Sequence, residues 1–515
     1  MEAGRWINGK APSLSALVVL ILIIAAGLRF HELGVESYWL DEVTMARLAQ
    51  GTPQSILSAF PGRPPLFPLI AHYWTQLFDV SETAARLLSV FAGIISVSLI
   101  YRIGRALFGS QIGLISALLM TVSSFQIYYS QELRYYSLTL LFVLFMFFFY
   151  IRALKGGRWR DFILFALSAT LVVYAHPTGI YVLPVPGLFF LARWQRYREL
   201  RWRWFWSHAL LVLATAPIVM PRLADTLGIA EIGAASNDED GLRWLTAPSL
   251  LAPFGTLLRF LFLQLNHLNL VSFGGTLAFV AVCLLGYRRY AEQESWPSRF
   301  RNLSGDLRRL WRTRREALLL VGCWLVVPLL IPWILSKVVW PPVYLDRYVI
   351  AAAPAFYLLL AASLVVMNRL APRFITHSAL ILLMGAALYQ YYERAIKEQW
   401  REAAAYVAAN AGEGDSIGIA FENYPEHKSA AHGSFYWYYP GDPAECYLDL
   451  KLDNGALIEQ MAACAGGDTI WLVIHGDNPQ RMEDLSAGGD EVIELVEAKR
   501  FVGVSIYLFR LKEAS

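Results

Sequence analysis

Charge is scarce in this chain, and cysteine scarcer still. Asp, Glu, Lys and Arg make up 17% of the 515 residues, against about 25% in soluble domains. The formal net charge is only +3, so the strong single-sign balance that marks a polyanion or nucleic-acid binder is missing. Four cysteines cannot staple a chain of this size, which excludes a disulfide scaffold. No P-loop, GxGxxG, HExxH, paired CxxC or GxSxG stands in a convincing context. A soluble nucleotide-sugar domain is missing with them. What is plentiful is apolar: 56% of residues are hydrophobic and 14% aromatic, which excludes disorder and a collagen-like repeat.

The apolar excess falls in membrane-length blocks, and the pattern predicts a multi-pass α-helical membrane protein with about eleven spans. The blocks are Pro12–Phe30, Ala84–Tyr101, Ile112–Tyr129, Leu138–Ile151, Phe162–Ala175, Gly179–Ala192, His208–Met220, Leu268–Gly286, Ala317–Leu335, Tyr348–Val366 and Ile375–Tyr389. The first is long and lacks a small-residue cleavage site, so it reads as a retained span rather than a signal peptide. Alternate loops are basic: Arg102 and Arg105; Arg152, Lys155, Arg158 and Arg160; Arg193 to Arg203; Arg288 to Arg315; Arg369 and Arg373. Lys and Arg accumulate in cytoplasmic loops, so this alternation predicts the N-terminus inside and the C-terminus outside. The same rule accounts for the basic loops without nucleic acid. The run Arg201-Trp202-Arg203-Trp204-Phe205-Trp206 reads as an interfacial anchor. Asn302-Leu303-Ser304 matches a glycosylation sequon only as a pattern, because its loop falls inside.

The chain divides into a membrane body, residues 1–392, and an extracytoplasmic α/β domain, residues 393–515, where charge, Gly and Pro return. In the latter, Trp400–Ala409 has helical spacing, Ser416–Phe421 and Thr469–Ile474 read as strands, and Glu491–Glu497 with Phe501–Phe509 as a closing pair. Cys446 and Cys464 both lie there; the compartment permits a disulfide, with two buried thiols as the alternative.

The spans hold few ionisable groups, and the unusual acids and bases gather at their outer ends. A coupled carrier normally keeps such groups at mid-span. The long first external loop, residues 31–83, carries Tyr38, Trp39, Asp41 and Glu42, then Arg63, and a 13-residue apolar stretch, Leu66–Phe78, too short to span. The adjacent carboxylates can take a proton from an acceptor hydroxyl or hold a sugar or metal. A solvated acidic pair at a helix N-terminus is equally consistent. Between the third and fourth spans, Glu132 and Arg134 either pair with each other or meet a substrate and its phosphate. His176 ends the fifth span, and Lys337, Tyr344, Arg347 and Tyr348 flank the tenth. Arg347 at that helix start suits an anion, or simply snorkels to the interface.

Taken in order, YWLDE, PPLFPLIAHYW with SETAARLLSVFAG, YYSQELRYYSL, the histidine after the fifth span and YLDRY resemble the GT-C superfamily of membrane glycosyltransferases. They are most similar to the bacterial group of dolichyl-phosphate-mannose-protein mannosyltransferase-like enzymes and aminoarabinose transferases, over residues 10–390. The resemblance implies inverting transfer of a sugar from a polyprenyl-phosphate donor to a protein, lipid or glycan acceptor at the outer face of a bacterial plasma membrane, by a monomer. It implies Asp41 and Glu42 as base or acceptor-positioning pair and Glu132 as the second acidic position, where several relatives have Asp. Arg347, Lys337, Arg63, Arg134 and His72 would bind the donor phosphate, and Tyr38, Trp39, His176, Tyr344 and Tyr348 would line the substrate pocket. A divalent cation, Mg or Mn, is used by some relatives and is left unassigned. Rival readings are a lipid-linked-sugar flippase or transporter, an oligosaccharide ligase or polymerase, and a non-catalytic scaffold.

Overall fold

The computed structural model describes residues 14–59, 64–226, 245–263, 297–338, 342–366, 370–412, 414–421, 428–441, 446–476, 479–488 and 492–512. The expected span Leu268–Gly286, the acidic run at 237–240, the basic residues Arg288 and Arg289, and the candidate ligand Arg63 lie outside these.

The helices run α1 (Leu14–Phe30), α2 (Leu40–Gln50), α3 (Pro53–Ala59), α4 (Leu66–Phe78), α5 (Glu82–Leu107), α6 (Ser110–Val122), α7 (Ser124–Ser130), α8 (Tyr136–Gly156), α9 (Trp159–Ala175), α10 (Pro184–Ala192) and α11 (Arg201–Thr226). They continue with α12 (Ala252–Arg259), α13 (Pro297–Val338), α14 (Ala353–Val366) and α15 (Leu370–Glu393). The expected spans within the described residues are largely helical, with a break at Ser123 in Ile112–Tyr129 and at Leu183 in Gly179–Ala192, and the chain is a mostly helical membrane protein. Among the described residues five helices are long and apolar enough to cross a bilayer, or six if α6 and α7 are one span bent by 63°. The N-terminal and the fifth and sixth apolar blocks form shorter helices, such as the 17-residue α1 and α9, and the last block lies in the 24-residue α15, which is not among those five, so the expected eleven spans are not reached among the described residues.

Close packing holds the body together. Gly104 of α5 and Gly113 of α6 meet backbone to backbone: a Cβ on Gly104 would stand 2.7 Å from the Gly113 Cα. The Trp324 ring stacks on Phe147 at 3.7 Å, and its indole N–H donates to Ala351 O at 2.7 Å.

Two local features aim the external loops. The bend between α6 and α7 frees carbonyls that would otherwise be orphaned inside the bundle. The fully buried Arg29 of α1 supplies the donors: to Met120 O at 3.2 Å, Thr121 O at 3.3 Å and Ser130 Oγ at 3.1 Å. Gln131, which follows, donates to Arg29 O at 3.1 Å and His31 O at 2.7 Å. The turn 131–135 is thereby tied to the end of α1. The second feature is α2, which starts at Leu40, so Asp41 and Glu42 occupy its first turn, where negative charge meets the positive helix end.

Residues 400–511 form a five-stranded mixed sheet of order β2-β1-β3-β5-β4, with β1 (Ser416–Phe421), β2 (Tyr447–Asp449), β3 (Thr469–His475), β4 (Ile493–Phe501) and β5 (Val504–Leu511). β1 pairs parallel with β2 and β3; β5 pairs antiparallel with β3 and β4. The β3 pattern, five consecutive buried residues, is that of a strand covered on both faces. Helices α16 (Trp400–Asn410), α17 (Lys428–Tyr438), α18 (Asn454–Cys464) and α19 (Pro479–Gly488) accompany it. A disulfide joins Cys446, before β2, to Cys464 at the end of α18.

Candidate functional site

Asp41 and Glu42 are neighbours in sequence but not in environment. Successive residues on a helix point about 100° apart, so on α2 one carboxylate faces outward and the other inward.

Glu42 is fully buried. Its carboxylate accepts from Arg86 Nε at 2.9 Å, Arg86 Nη2 at 2.7 Å and the Leu133 amide at 2.7 Å, and meets Lys397 Nζ at 3.2 Å. Burial alone would raise its pKa, but the Arg86 and Lys397 cations and these hydrogen bonds outweigh it and hold the group near about 2. Arg86 also donates to Leu33 O, Glu36 O and Ser37 O at 2.9, 2.8 and 3.0 Å. A carboxylate with its acceptor positions filled by fixed cations is a poor proton acceptor, so Glu42 corrects the expectation of a paired base. It anchors the first loop to α5 and to the 131–135 turn.

Asp41 is partly exposed, its side chain retaining 27% of its accessible surface. Arg134 Nη2 pairs with its Oδ2 at 3.1 Å, and Nη1 donates to Asp41 O at 3.2 Å. Arg134 also donates to the Tyr135 hydroxyl at 2.9 Å and lies 4.6 Å from that ring centroid. The Tyr135 ring stacks on His176 at 3.8 Å, and His176 lies 5.8 Å from the Tyr348 ring. Arg347 stands 5.7 Å from the Tyr348 ring and 5.8 Å from that of Trp39. Four separate segments, namely the first loop, the 131–135 turn, the end of α9 and the start of the Asp346–Ala352 turn, thus bring one carboxylate, two guanidinium groups, an imidazole and a ring of aromatics together. Two donors within the cluster, Trp39 Nε1 and Arg134 Nε, are buried without a hydrogen-bond partner, which leaves them available to acceptor atoms of a ligand.

Glu132 lies beneath this cluster, fully buried, with neither carboxylate oxygen in hydrogen-bond geometry with a donor. Burial pushes its pKa up to about 7, against the opposing pull of Lys397.

The remaining expected residues lie elsewhere. Tyr38 is wholly buried, its hydroxyl donating to Val80 O at 2.9 Å and its amide to the Tyr438 hydroxyl at 2.7 Å, so it lines no pocket. His72 is buried on α4 with Nδ1 2.9 Å from Ala49 O, a link between α2 and α4 rather than a phosphate ligand. Tyr344 meets Thr256 at 2.8 Å and borders a cavity of about 420 Å³ shared with Arg259 and Asp346, which are themselves ion-paired. Lys337 donates to Pro248 O at the rim of that cavity. Sequence reasoning missed Arg86, Tyr135, Arg259 and Lys397. Arg86 sits inside the quoted SETAARLLSVFAG motif and could have been singled out as a cation at a span end; a lone Lys397 carries no such signal. Among the described residues, no three His, Cys, Asp or Glu side chains converge in a set that could hold a metal ion.

Residues 62–223 match the family model for dolichyl-phosphate-mannose-protein mannosyltransferase, a little under a third of the chain. No curated protein matches the sequence. Among solved structures, ArnT from Cupriavidus metallidurans in the apo state is similar at 11% identity and a TM-score of 0.55, covering 96% of this chain and 98% of that one. The same protein bound to undecaprenyl phosphate gives 13% identity and 0.53, over 95% and 97%. The apo oligosaccharyltransferase of Archaeoglobus fulgidus gives 12% identity and 0.50, over 91% and 70%. At such identities the likeness is one of fold. The family-model match and the shared fold agree with the resemblance to GT-C membrane glycosyltransferases carried by the sequence motifs.

Proposed function

We propose that the chain is an inverting glycosyltransferase that moves a sugar from a polyprenyl-phosphate donor to an acceptor hydroxyl at the outer face of the membrane. The observation that carries this reading is the Asp41–Arg134 pair at 3.1 Å, partly exposed at Asp41 and flanked by Arg347, His176 and Trp39. The undecaprenyl phosphate held by ArnT, over nearly the whole length of a shared fold, supports the donor class.

The chemistry assigns each group a task. The acceptor oxygen attacks the anomeric carbon from the face opposite the phosphate, the bond from that carbon to the phosphate oxygen breaks, and configuration inverts. Asp41 takes the hydroxyl proton as the new bond forms. The leaving group is a phosphate whose charge grows in the transition state, and the forked donors of Arg134 and Arg347 meet it. Until a donor arrives, Asp41 neutralises Arg134; the phosphate then competes for that cation and releases the carboxylate. The buried indole N–H of Trp39 is free to meet a sugar oxygen.

Asp41→Asn tests the reading. The variant should express and fold as wild type yet lose transfer from a polyprenyl-phosphate sugar by at least about a hundredfold, the scale of lost general-base catalysis. Full activity would remove Asp41 from the chemistry. Movement of the lipid-linked sugar across vesicles without bond cleavage would favour a flippase instead.

A further inference from the structure

Between α15 and α16, residues 394–399 cross the first external loop as a strap, and their polar groups are spent on the two acidic segments of the site. Glu36 Oε1 accepts from the Ile396 amide and, at 3.0 Å, from the Lys397 amide. Glu398 Oε2 accepts from the Leu40 amide at 2.9 Å and Trp400 Nε1 at 2.6 Å, while Oε1 meets His475 Nε2 at 2.9 Å at the end of β3. Ser37 Oγ donates to Glu398 O at 2.8 Å. Lys397 goes deepest. It is only 3% exposed, and its ammonium donates to Gln131 O at 2.6 Å and to Glu42 Oε2 at 3.2 Å.

An ammonium is costly to bury, and a mere tether does not need one. Its contacts follow one line. Lys397 holds Gln131 and Glu42; Glu42 holds the Leu133 amide; the next residue is Arg134, which pairs with Asp41. We propose that Lys397 is a positioning residue for sugar transfer, fixing the 131–135 turn against α2 from the strap and making the sheet domain a working part of the site. The proposal rests on the glycosyltransferase reading above. It also has an electrostatic side. The groups facing Glu132 are Lys397 from the strap, Glu42 from α2, Tyr128 and Tyr129 from α7, Tyr391 from α15 and Arg134 from its own turn. Lys397, more than Arg134, is the cation that opposes the upward push of burial on Glu132.

The test uses the full chain in nanodiscs with Lys397→Met and Lys397→Arg, and Lys397→Gln wherever the Met variant does not fold. Amide exchange is read at 131–135 and at 38–42, with α8 as an internal control, and bare undecaprenyl phosphate is the binding probe. In the uncharged variants exchange at 131–135 should rise at least about tenfold with α8 unchanged. The kcat should fall at least about tenfold with donor KM within about twofold, the pattern of a misplaced but still liganded site. The pH window over which Glu132 titrates, read from the pH–stability curve, should move upward in Lys397→Met and stay put in Lys397→Arg. Unchanged protection of 131–135, or an unchanged kcat, overturns the proposal, as do Met and Arg variants equally impaired with one pH window. If the wild type turns over no polyprenyl-phosphate sugar, the functional reading fails, and the exchange measurement still decides whether Lys397 positions the turn.

Discussion

Replacing Glu42 by Gln keeps the shape of the side chain and removes one charge from a fully buried network. The loss can be estimated in two ways. A carboxylate held near about 2 in the folded chain, against about 4.3 in an unfolded one, is stabilised by roughly 3 kcal/mol when ionised. Breaking a buried ion pair by removing one partner typically costs about 3–5 kcal/mol, because the other charge is left uncompensated; here two cations, Arg86 and Lys397, would be left. We expect Glu42→Gln to lower the unfolding free energy by about 3 kcal/mol in an SDS titration of the purified chain in mixed micelles. The pH dependence follows in sign. A depressed folded-state value means stability is complete above about pH 5 and is lost as pH falls toward about 2. The wild type should show that acid-side loss and Glu42→Gln should lack it. A variant within about 1 kcal/mol of wild type, with the same acid dependence, would refute the account of Glu42 as the anchor of the first loop.

Glu132 should behave with the opposite sign. Its folded-state value, raised to about 7, means the native state holds the proton more tightly than the unfolded chain, so stability falls as pH rises from about 4.5 to about 7. Glu132→Gln should therefore gain stability relative to wild type above neutral pH, seen as a flatter pH–stability curve. Arg347→Ala should raise the donor KM; an unchanged KM would leave Arg347 as a snorkelling cation at the interface. Gly104→Val should destabilise the body by at least about 1–3 kcal/mol, since the new side chain would enter the space of the Gly113 Cα. Cys464→Ser should cost the sheet domain about 3 kcal/mol, the value for opening a loop with a separation of 18 residues.

The apolar blocks were the most legible part of the sequence, because length and hydropathy are properties of a segment alone. Leu66–Phe78 matches α4 residue for residue, and the strands at 416 and 469 and the closing pair fall close to their expected places. The short β2 and the helices α17 to α19 were not read: β2 is three residues long, and these helices lack a strong apolar period. Of the candidate site residues, Asp41, Trp39, Arg134, His176, Arg347 and Tyr348 stand together in the structure; each is an ionisable or aromatic residue in an external loop or at a span end. Tyr38, Glu42 and His72 carry the same signal yet face inward, because orientation on a helix or at its cap depends on partners distant in the chain, such as Val80, Arg86 and Ala49. Lys397 was invisible for the same reason. Its partners are 266 and 355 residues away.

The central claim is that a sugar is transferred with inversion at the Asp41 cluster. The direct measurement is the anomeric configuration of the product, by NMR, when the wild-type chain in nanodiscs is given a polyprenyl-phosphate sugar of known anomer and acceptor extracts from the cell envelope. The account predicts release of free polyprenyl phosphate and a product of the opposite anomer, both lost in Asp41→Asn. A product with retained configuration, or release that Asp41→Asn leaves intact, would contradict it.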